Sequence, residues 1–302
     1  MSQKVKGAIL TTFGGACWGL SGSMGQYLFT RQGMDSRWLV PVRLGLAGII
    51  LLIFALIRYG KSEVIRPWKT GKNAWDLVVY GLLGVSACQF FYFLTIQLSS
   101  AAVATILQDL SPVMILVVSC MMAKRKPGGL EILSIICALA GVFLLTTHGD
   151  LRDMTISPAA VLAGVMAAIC VTIYNTVPGK LMEQFPLVLM QGWAFLMGGT
   201  FFALVFRPWQ FHYVPNLYGY AGILFVVVVG NVVAFVSYMA GVKAIGPEKS
   251  ILYAFSEPVT AAIIATVFLK TPFTVYDAAG YVLVFLMLVL ISSVKQKSSA
   301  EV

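Results

Sequence analysis

The chain carries two versions of one stretch, residues 100–147 and 246–293, at an offset of 146. Adding 146 to a position in the first half finds its counterpart: Gly84 falls on Gly230, Tyr92 on Tyr238, Pro112 on Pro258 and Glu131 on Asp277. Each version closes a half with five long apolar segments. Five is odd, so the second half enters a membrane from the opposite face, and the two copies lie upside down relative to each other.

Composition makes a membrane the solvent. Charged residues make up 11% of the 302 residues and apolar ones 59%, where a soluble domain carries roughly 25% charge. A spanning helix needs about 20 mostly apolar residues. Ten stretches qualify: Lys6–Thr30, Ser36–Arg58, Asn73–Gln97, Ala101–Ala123, Gly128–Thr147, Ser157–Val177, Pro186–Phe206, Leu217–Gly241, Lys249–Leu269 and Thr274–Val294. The expected fold is therefore all-α and integral to the membrane. It has ten transmembrane helices in two inverted five-helix repeats, residues 1–147 and 157–302, joined by an outer linker at 148–156. The first apolar run is longer than the roughly 7–15 residues of a signal peptide core and reads as an uncleaved span.

The net charge of +9 does not imply nucleic acid, because the basic residues sit between apolar runs. With the N-terminus inside, fifteen of the 21 Lys and Arg face the cytoplasm and five face outward, with Arg43 inside a helix. That bias places both termini in the cytoplasm. The expected location is the bacterial plasma membrane. The five cysteines form no CxxC pair and read as small packing residues. Trp38, Trp68, Trp75, Trp193 and Trp209 mostly mark helix ends, the interfacial position.

Three ionisable residues fall at membrane depth, where each costs roughly 2.5–3.5 kcal/mol to insert: Arg43, Asp109 and Glu257. Each acid lies eight residues into its span, ~12 Å at 1.5 Å per residue, near the midplane. Two readings stand. The charges form a polar site, or Arg43 pairs with Asp109 as a structural lock and leaves Glu257 free. Pro112 and Pro258 interrupt the fourth and ninth spans and free the carbonyls of Gln108 and Ala254. Kinks at matching places in two repeats mark a hinge or transport site, against the reading of a static kink. Trp18, Gln89, Phe91, Tyr92, Tyr174, Asn175, Asn231, Tyr238 and Tyr253 share that depth. Singly each is a packing residue; as a set they line a cavity for a small polar or amphipathic solute. In the first span Gly15 and Gly19 form a close-packing pattern.

No phosphate-binding GxxxxGK[ST] loop and no HExxH occurs, so neither ATP hydrolysis nor zinc chemistry is expected. No cofactor, catalytic constellation or metal is expected either. The layout resembles the drug/metabolite transporter superfamily in its EamA-type ten-helix branch. The resemblance covers nearly the whole chain and rests on Leu110-Ser-Pro-Val113 and Ser256-Glu-Pro-Val259, on Gly141 and Gly280 in the last span of each half, and on Tyr92 and Tyr238. It implies a basket of ten helices around a central cavity, with the fifth and tenth peripheral. It also implies movement, usually export, of amino acids, related metabolites or drugs. Arg125 and Thr271 stand where the family usually has an acid at the end of the fourth and ninth spans, so no mechanism through that acid is implied. The expectation is a secondary transporter of an amino acid or amine working by alternating access, with proton or ion coupling left open. A non-transporting receptor or scaffold, or a channel, is the alternative.

Overall fold

The computed structural model describes residues 3–148, 156–176, 181, 184–270 and 272–300. The linker at 149–155, and with it Arg152, lies outside the described residues, as do Lys180 and Thr271. Among the described residues all regular structure is helical. The long helices are α1 (Gln3–Thr30), α2 (Ser36–Tyr59), α3 (Gly71–Leu98), α4 (Ala101–Met122), α5 (Gly129–Thr147), α6 (Pro158–Thr176), α7 (Leu187–Phe206), α8 (Leu217–Ile245), α9 (residues 247–267) and α10 (Val275–Ala300). Eight of them, all but α1 and α9, are long and apolar enough to cross a membrane.

Packing explains the two exceptions. Helix α1 is poor in large apolar residues where α3, α8 and α9 press against it. Its buried positions are mostly small, among them Gly7, Gly14, Gly15, Gly19, Gly22 and Gly25. Each glycine admits a different neighbour. A Cβ on Gly14 would lie 2.9 Å from the Ala234 carbonyl of α8, one on Gly15 would lie 2.9 Å from the Ala254 carbonyl of α9, and one on Gly25 would lie 2.7 Å from the Phe93 ring of α3. A helix pressed by three others needs small residues at each contact rather than a single apolar stripe, while Val5, Ile9 and Phe13 stay exposed near its start. Helix α9 is broken. It runs Pro247–Ala254, turns at Phe255, and resumes as Ser256–Val267.

The other helices pair off. Helix α2 packs on α7, α3 on α6 and α7, the first part of α4 on α6 and α9, and α5 chiefly on α10. Gly141 and Gly280 mark the α5–α10 crossing: a Cβ on either would lie 3.0 Å from the other's carbonyl oxygen. Exchanging α1–α5 with α6–α10 maps α2–α7, α4–α9 and α5–α10 onto themselves, and maps α3–α6 and α4–α6 onto the contacts of α1 with α8 and α9. Apolar residues such as Ile57, Leu139, Leu204 and Val282 point outward from the bundle, as lipid-facing residues must.

The offset of 146 recurs in the backbone. Helix α3 contains a π segment at Val79–Ser86 and α8 one at Val226–Val233, one residue beyond that offset. Helix α4 breaks at Asp109–Leu110 and α9 at Phe255. Lys124 and Lys270 both adopt left-handed φ, 49° and 58°. Glu131 accepts from the Gly128 N–H at 2.7 Å at the start of α5, and Asp277 from the Thr274 N–H at 2.7 Å at the start of α10. Each acid satisfies a backbone donor that the helix end leaves open. Each also meets a basic side chain: the Arg125 guanidinium forks onto Glu131 through two bonds of 2.7 Å, and His148 Nε2 lies 3.1 Å from Asp277. Tied to Glu131, the Arg125 guanidinium holds its proton more tightly than usual.

The tryptophans divide. Trp75 and Trp209 are exposed at helix ends, as expected. Trp68 and Trp193 instead pack edge to face at 5.3 Å, and Trp193 donates to the Val64 carbonyl at 2.9 Å. Trp38 packs on Tyr213. These three are half-buried packing residues. The five cysteines are buried and free.

Candidate functional site

The expected site residues gather where α1, α3, α8 and the breaks of α4 and α9 meet. Chain breaks are what bring polar atoms to this depth. At α4 the helix ends on Gln108, Asp109 and Leu110 form a turn, and Pro112 sits in the first turn of the next segment. There its missing N–H costs nothing, because first-turn donors have no helical partner. Pro258 has the same place in α9. It leaves the Ala254 carbonyl without a helical donor, and that carbonyl faces Gly15 of α1. The Ser256 hydroxyl reaches across to donate to the Thr12 carbonyl at 2.8 Å. The break at Phe255 and the backbone of Glu257, whose carbonyl faces Gly19, are therefore held directly against α1.

Arg43 is 2% exposed on α2. Its guanidinium lies 3.7 Å above the Phe93 ring, a cation–π contact. One terminal nitrogen donates to Gln89 of α3 and, at 3.0 Å, to the Asn231 side-chain oxygen of α8. Arg43 thus joins the two halves through neutral amides. The Arg43–Asp109 pair, one of the two readings, does not form. The ion pairs among the described residues are Arg37–Asp35, Arg66–Glu63, Arg125–Glu131 and His148–Asp277. The reason is placement: Arg43 is spent on amides of α3 and α8, while Asp109 projects from the turn of α4.

Among the described residues Glu257 and Asp109 have no cation beside them. The Tyr92 hydroxyl donates to Glu257 at a long 3.4 Å. One Asp109 carboxylate oxygen is buried with no partner. Both acids are nevertheless partly exposed as residues, so they border a space rather than dry packing. Trp18 and Tyr238 stack at 5.0 Å with planes tilted by 49°, on the α1–α8 contact that Gly14 permits. On α1, Gly22 lies against Tyr92: a Cβ there would fall 2.6 Å from the tyrosine oxygen.

Two expected residues join none of these contacts. Tyr174 packs edge to face on Tyr80, and the Tyr80 hydroxyl donates to Gln191 at 2.9 Å. Tyr253 is 44% exposed and makes none of the contacts described for the cluster. Asn175, named with them, is exposed and donates to the Val171 carbonyl of its own helix at 2.8 Å. Sequence reading missed Phe93, although it follows Tyr92 and stands four residues after Gln89 on the same helix face. It also missed a cavity of ≈330 Å³ at the other end of α4, lined by Ser100, Val103, His148, Asp277 and Tyr281 among others. That cavity contains none of the expected site residues.

With this geometry in view, the comparisons decide the family. The EamA-like transporter family model matches residues 5–147 and 158–293, one match to each half. The chain belongs to the EamA-like transporter family. Among curated relatives, the uncharacterized inner membrane transporter YicL of Salmonella typhimurium is 30% identical over 97% of both chains. The uncharacterized transporter YyaM of Bacillus subtilis is 23% identical over 83% of both. A protein of known crystal structure superposes with a TM-score of 0.64 over 97% of this chain and 98% of its own, at 17% identity. At that identity the likeness carries the fold alone. The EamA chain is thus a membrane-embedded transporter of two related halves.

Proposed function

We propose that the chain is a secondary transporter that moves a small metabolite bearing an amino group out across the bacterial plasma membrane. It works by alternating access, with both termini cytoplasmic. The two halves lie inverted about an axis in the membrane plane, ten helices span, and the breaks beside Pro112 and Pro258 act as hinges.

One observation carries the reading: two carboxylates, Asp109 and Glu257, at the breaks of matching helices, with no cation among the described residues beside either. Charge at this depth costs roughly 2.5–3.5 kcal/mol per group on insertion scales, and a built-in partner would lower that cost. Arg43, the cation of the same cluster, is held by Gln89 and Asn231 instead. The acids are left to take a cation that comes and goes: a substrate ammonium, a proton, or each in turn. Tyr92 holds Glu257 between visits. Trp18 and Tyr238 supply an aromatic wall, which suits an ammonium through cation–π attraction. Tyr174 and Tyr253 would join the path only in another arrangement of the halves.

The test is flux in proteoliposomes with radiolabelled amino acids and amines. Glu257→Gln and Asp109→Asn keep shape and remove charge, and are expected to abolish flux while leaving the protein folded. Wild-type flux in both variants would end the assignment. Simultaneous, continuous access from both sides would point to a channel instead.

A further inference from the structure

We propose that Gln26 and Gln97 form a latch that holds the outer side shut, so that the resting transporter is closed to the outside. The inference rests on the transport reading above, with both termini cytoplasmic, and goes beyond it.

The latch ties two corners of the first half. Helices α1 and α2 are joined at one outer corner, α3 and α4 at the next. Gln26 of α1 is 5% exposed, and its side-chain oxygen accepts from the Ala101 N–H at 2.9 Å. Gln97 of α3 accepts from the Ser36 N–H at 2.8 Å. Ala101 and Ser36 are the first residues of α4 and α2, where a helix leaves its backbone donors open. Both residues are fully buried, so either donor left unpaired would be costly while the corners stay together. Parting the corners would hand the same donors to water. The two amides therefore stabilise the closed arrangement over the open one.

The offset of 146 shows that the matching inner places are built differently. Gln26 falls on Thr172, whose hydroxyl donates to the Ala168 carbonyl of its own helix at 3.0 Å. Ala101 falls on Pro247, which has no N–H to give. Gln97 falls on Lys243, which is exposed. The first part of α9 packs chiefly on α1, α8 and α10. The outer corner of α3 and α4 is thus clasped by chemistry that these inner residues do not repeat.

The clasped corner also has room to leave. Its Ser100 and Val103 line the ≈330 Å³ cavity, whose other walls include Leu145 of α5 and Tyr281 of α10. Those two helices are held to each other at Gly141 and Gly280. Ala262 of α9 lines the same cavity, where the matching inner place holds the larger Leu116. The π segment of α3 and the break of α4 at Asp109 lie further along the two helices of the corner, where they serve as its hinges.

The experiment uses the full chain in right-side-out vesicles, with the five native cysteines replaced and a single cysteine at Ala104. That residue is on the outer part of α4 and fully buried. A membrane-impermeant thiol reagent is added outside, without solute. Gln26→Leu and Gln97→Leu each remove one tie. Each is expected to raise the labelling rate roughly fivefold, the shift in equilibrium that about 1 kcal/mol produces; either serves if the other does not fold. Thr172→Val should leave the rate unchanged. Ala262→Leu copies the inner side into the cavity and should reverse the rise seen with Gln26→Leu. An unchanged rate in folded Gln26→Leu and Gln97→Leu proteins, or an equal rise in Thr172→Val, would overturn the latch. A rise that Ala262→Leu does not reverse would overturn the movement into the cavity. Flux of radiolabelled amino acids and amines is followed in the same proteins. Flux with an unchanged labelling rate would sink the latch alone, and no flux in the protein without these substitutions would end the transport reading.

Discussion

Replacing Gly22 with alanine probes the junction of α1, α3 and α9 in one step. The added Cβ would lie 2.6 Å from the Tyr92 hydroxyl oxygen. Ordinary contact is ~3.5 Å, so the hydroxyl or α1 must move by ~1 Å. Tyr92 has little room, being 6% exposed and packed beside Phe93. Overpacking of this kind costs about 1–3 kcal/mol. The bond from Tyr92 to Glu257 is already long at 3.4 Å and would break. The next-nearest atoms to the new Cβ are Ala101 Cβ at 3.5 Å and Tyr92 Cζ at 3.6 Å, both at ordinary contact. Tyr92→Phe therefore removes the only clash. The double variant should be as stable as Tyr92→Phe alone, within about 0.5 kcal/mol, and the coupling energy should equal the whole cost of Gly22→Ala. Equilibrium unfolding of the four proteins in mixed micelles measures this cycle. If Gly22→Ala costs as much in the Tyr92→Phe background as in the native one, the packing of α1 on Tyr92 is not as described.

Two further outcomes follow from the fold. Asp35 caps α2 by accepting from the Arg37 N–H at 2.8 Å and from its guanidinium at 2.7 Å and 2.9 Å, and the hydrogen bond from Arg37 holds its carboxyl below the usual range. A depressed value means a stabilising contribution that is present above the unfolded value, about pH 4, and lost as pH falls through the folded one. Because Arg37 is largely exposed, the effect is under about 1 kcal/mol; Asp35→Asn keeps a capping acceptor and should flatten that acid-side fall in Tm. Gly141→Leu should force apart the α5–α10 crossing, where the carbonyl of Gly280 leaves only 3.0 Å, and lower stability by about 1–3 kcal/mol in thermal unfolding.

Much of this architecture is written in local chemistry, and some is not. The break of α4 and α9 was legible because proline removes a donor wherever it stands, and Pro112 and Pro258 share the offset of 146. The depth of Asp109 and Glu257 followed from counting residues along a helix. The family and its membrane helices were legible for the same reasons. The partner of Arg43 was not. Depth along a helix says nothing of which way a side chain points around it, so the nearest opposite charge, Asp109, was one of two candidate roles and the neutral amides of Gln89 and Asn231 were missed as partners. Trp38, Trp68 and Trp193 were legible as residues near helix ends, but not the Tyr213, Val64 and second tryptophan that they meet. The π segments left no composition signal, because they read as ordinary apolar runs such as Val226–Val233. The glycines of α1 were legible as close-packing residues, while the identity of each neighbour was fixed only by the tertiary arrangement.

The central claim is that the polar junction opens to one side of the membrane and then the other. Tyr238 stacks on Trp18 at that junction, which makes it the position to probe. A single cysteine at Tyr238, in a background with the five native cysteines replaced, is treated with a membrane-impermeant thiol reagent from outside right-side-out vesicles and, separately, from outside inverted ones. Labelling is predicted from both sides, with saturating substrate raising reactivity on one side while lowering it on the other. No labelling from either side would contradict the account.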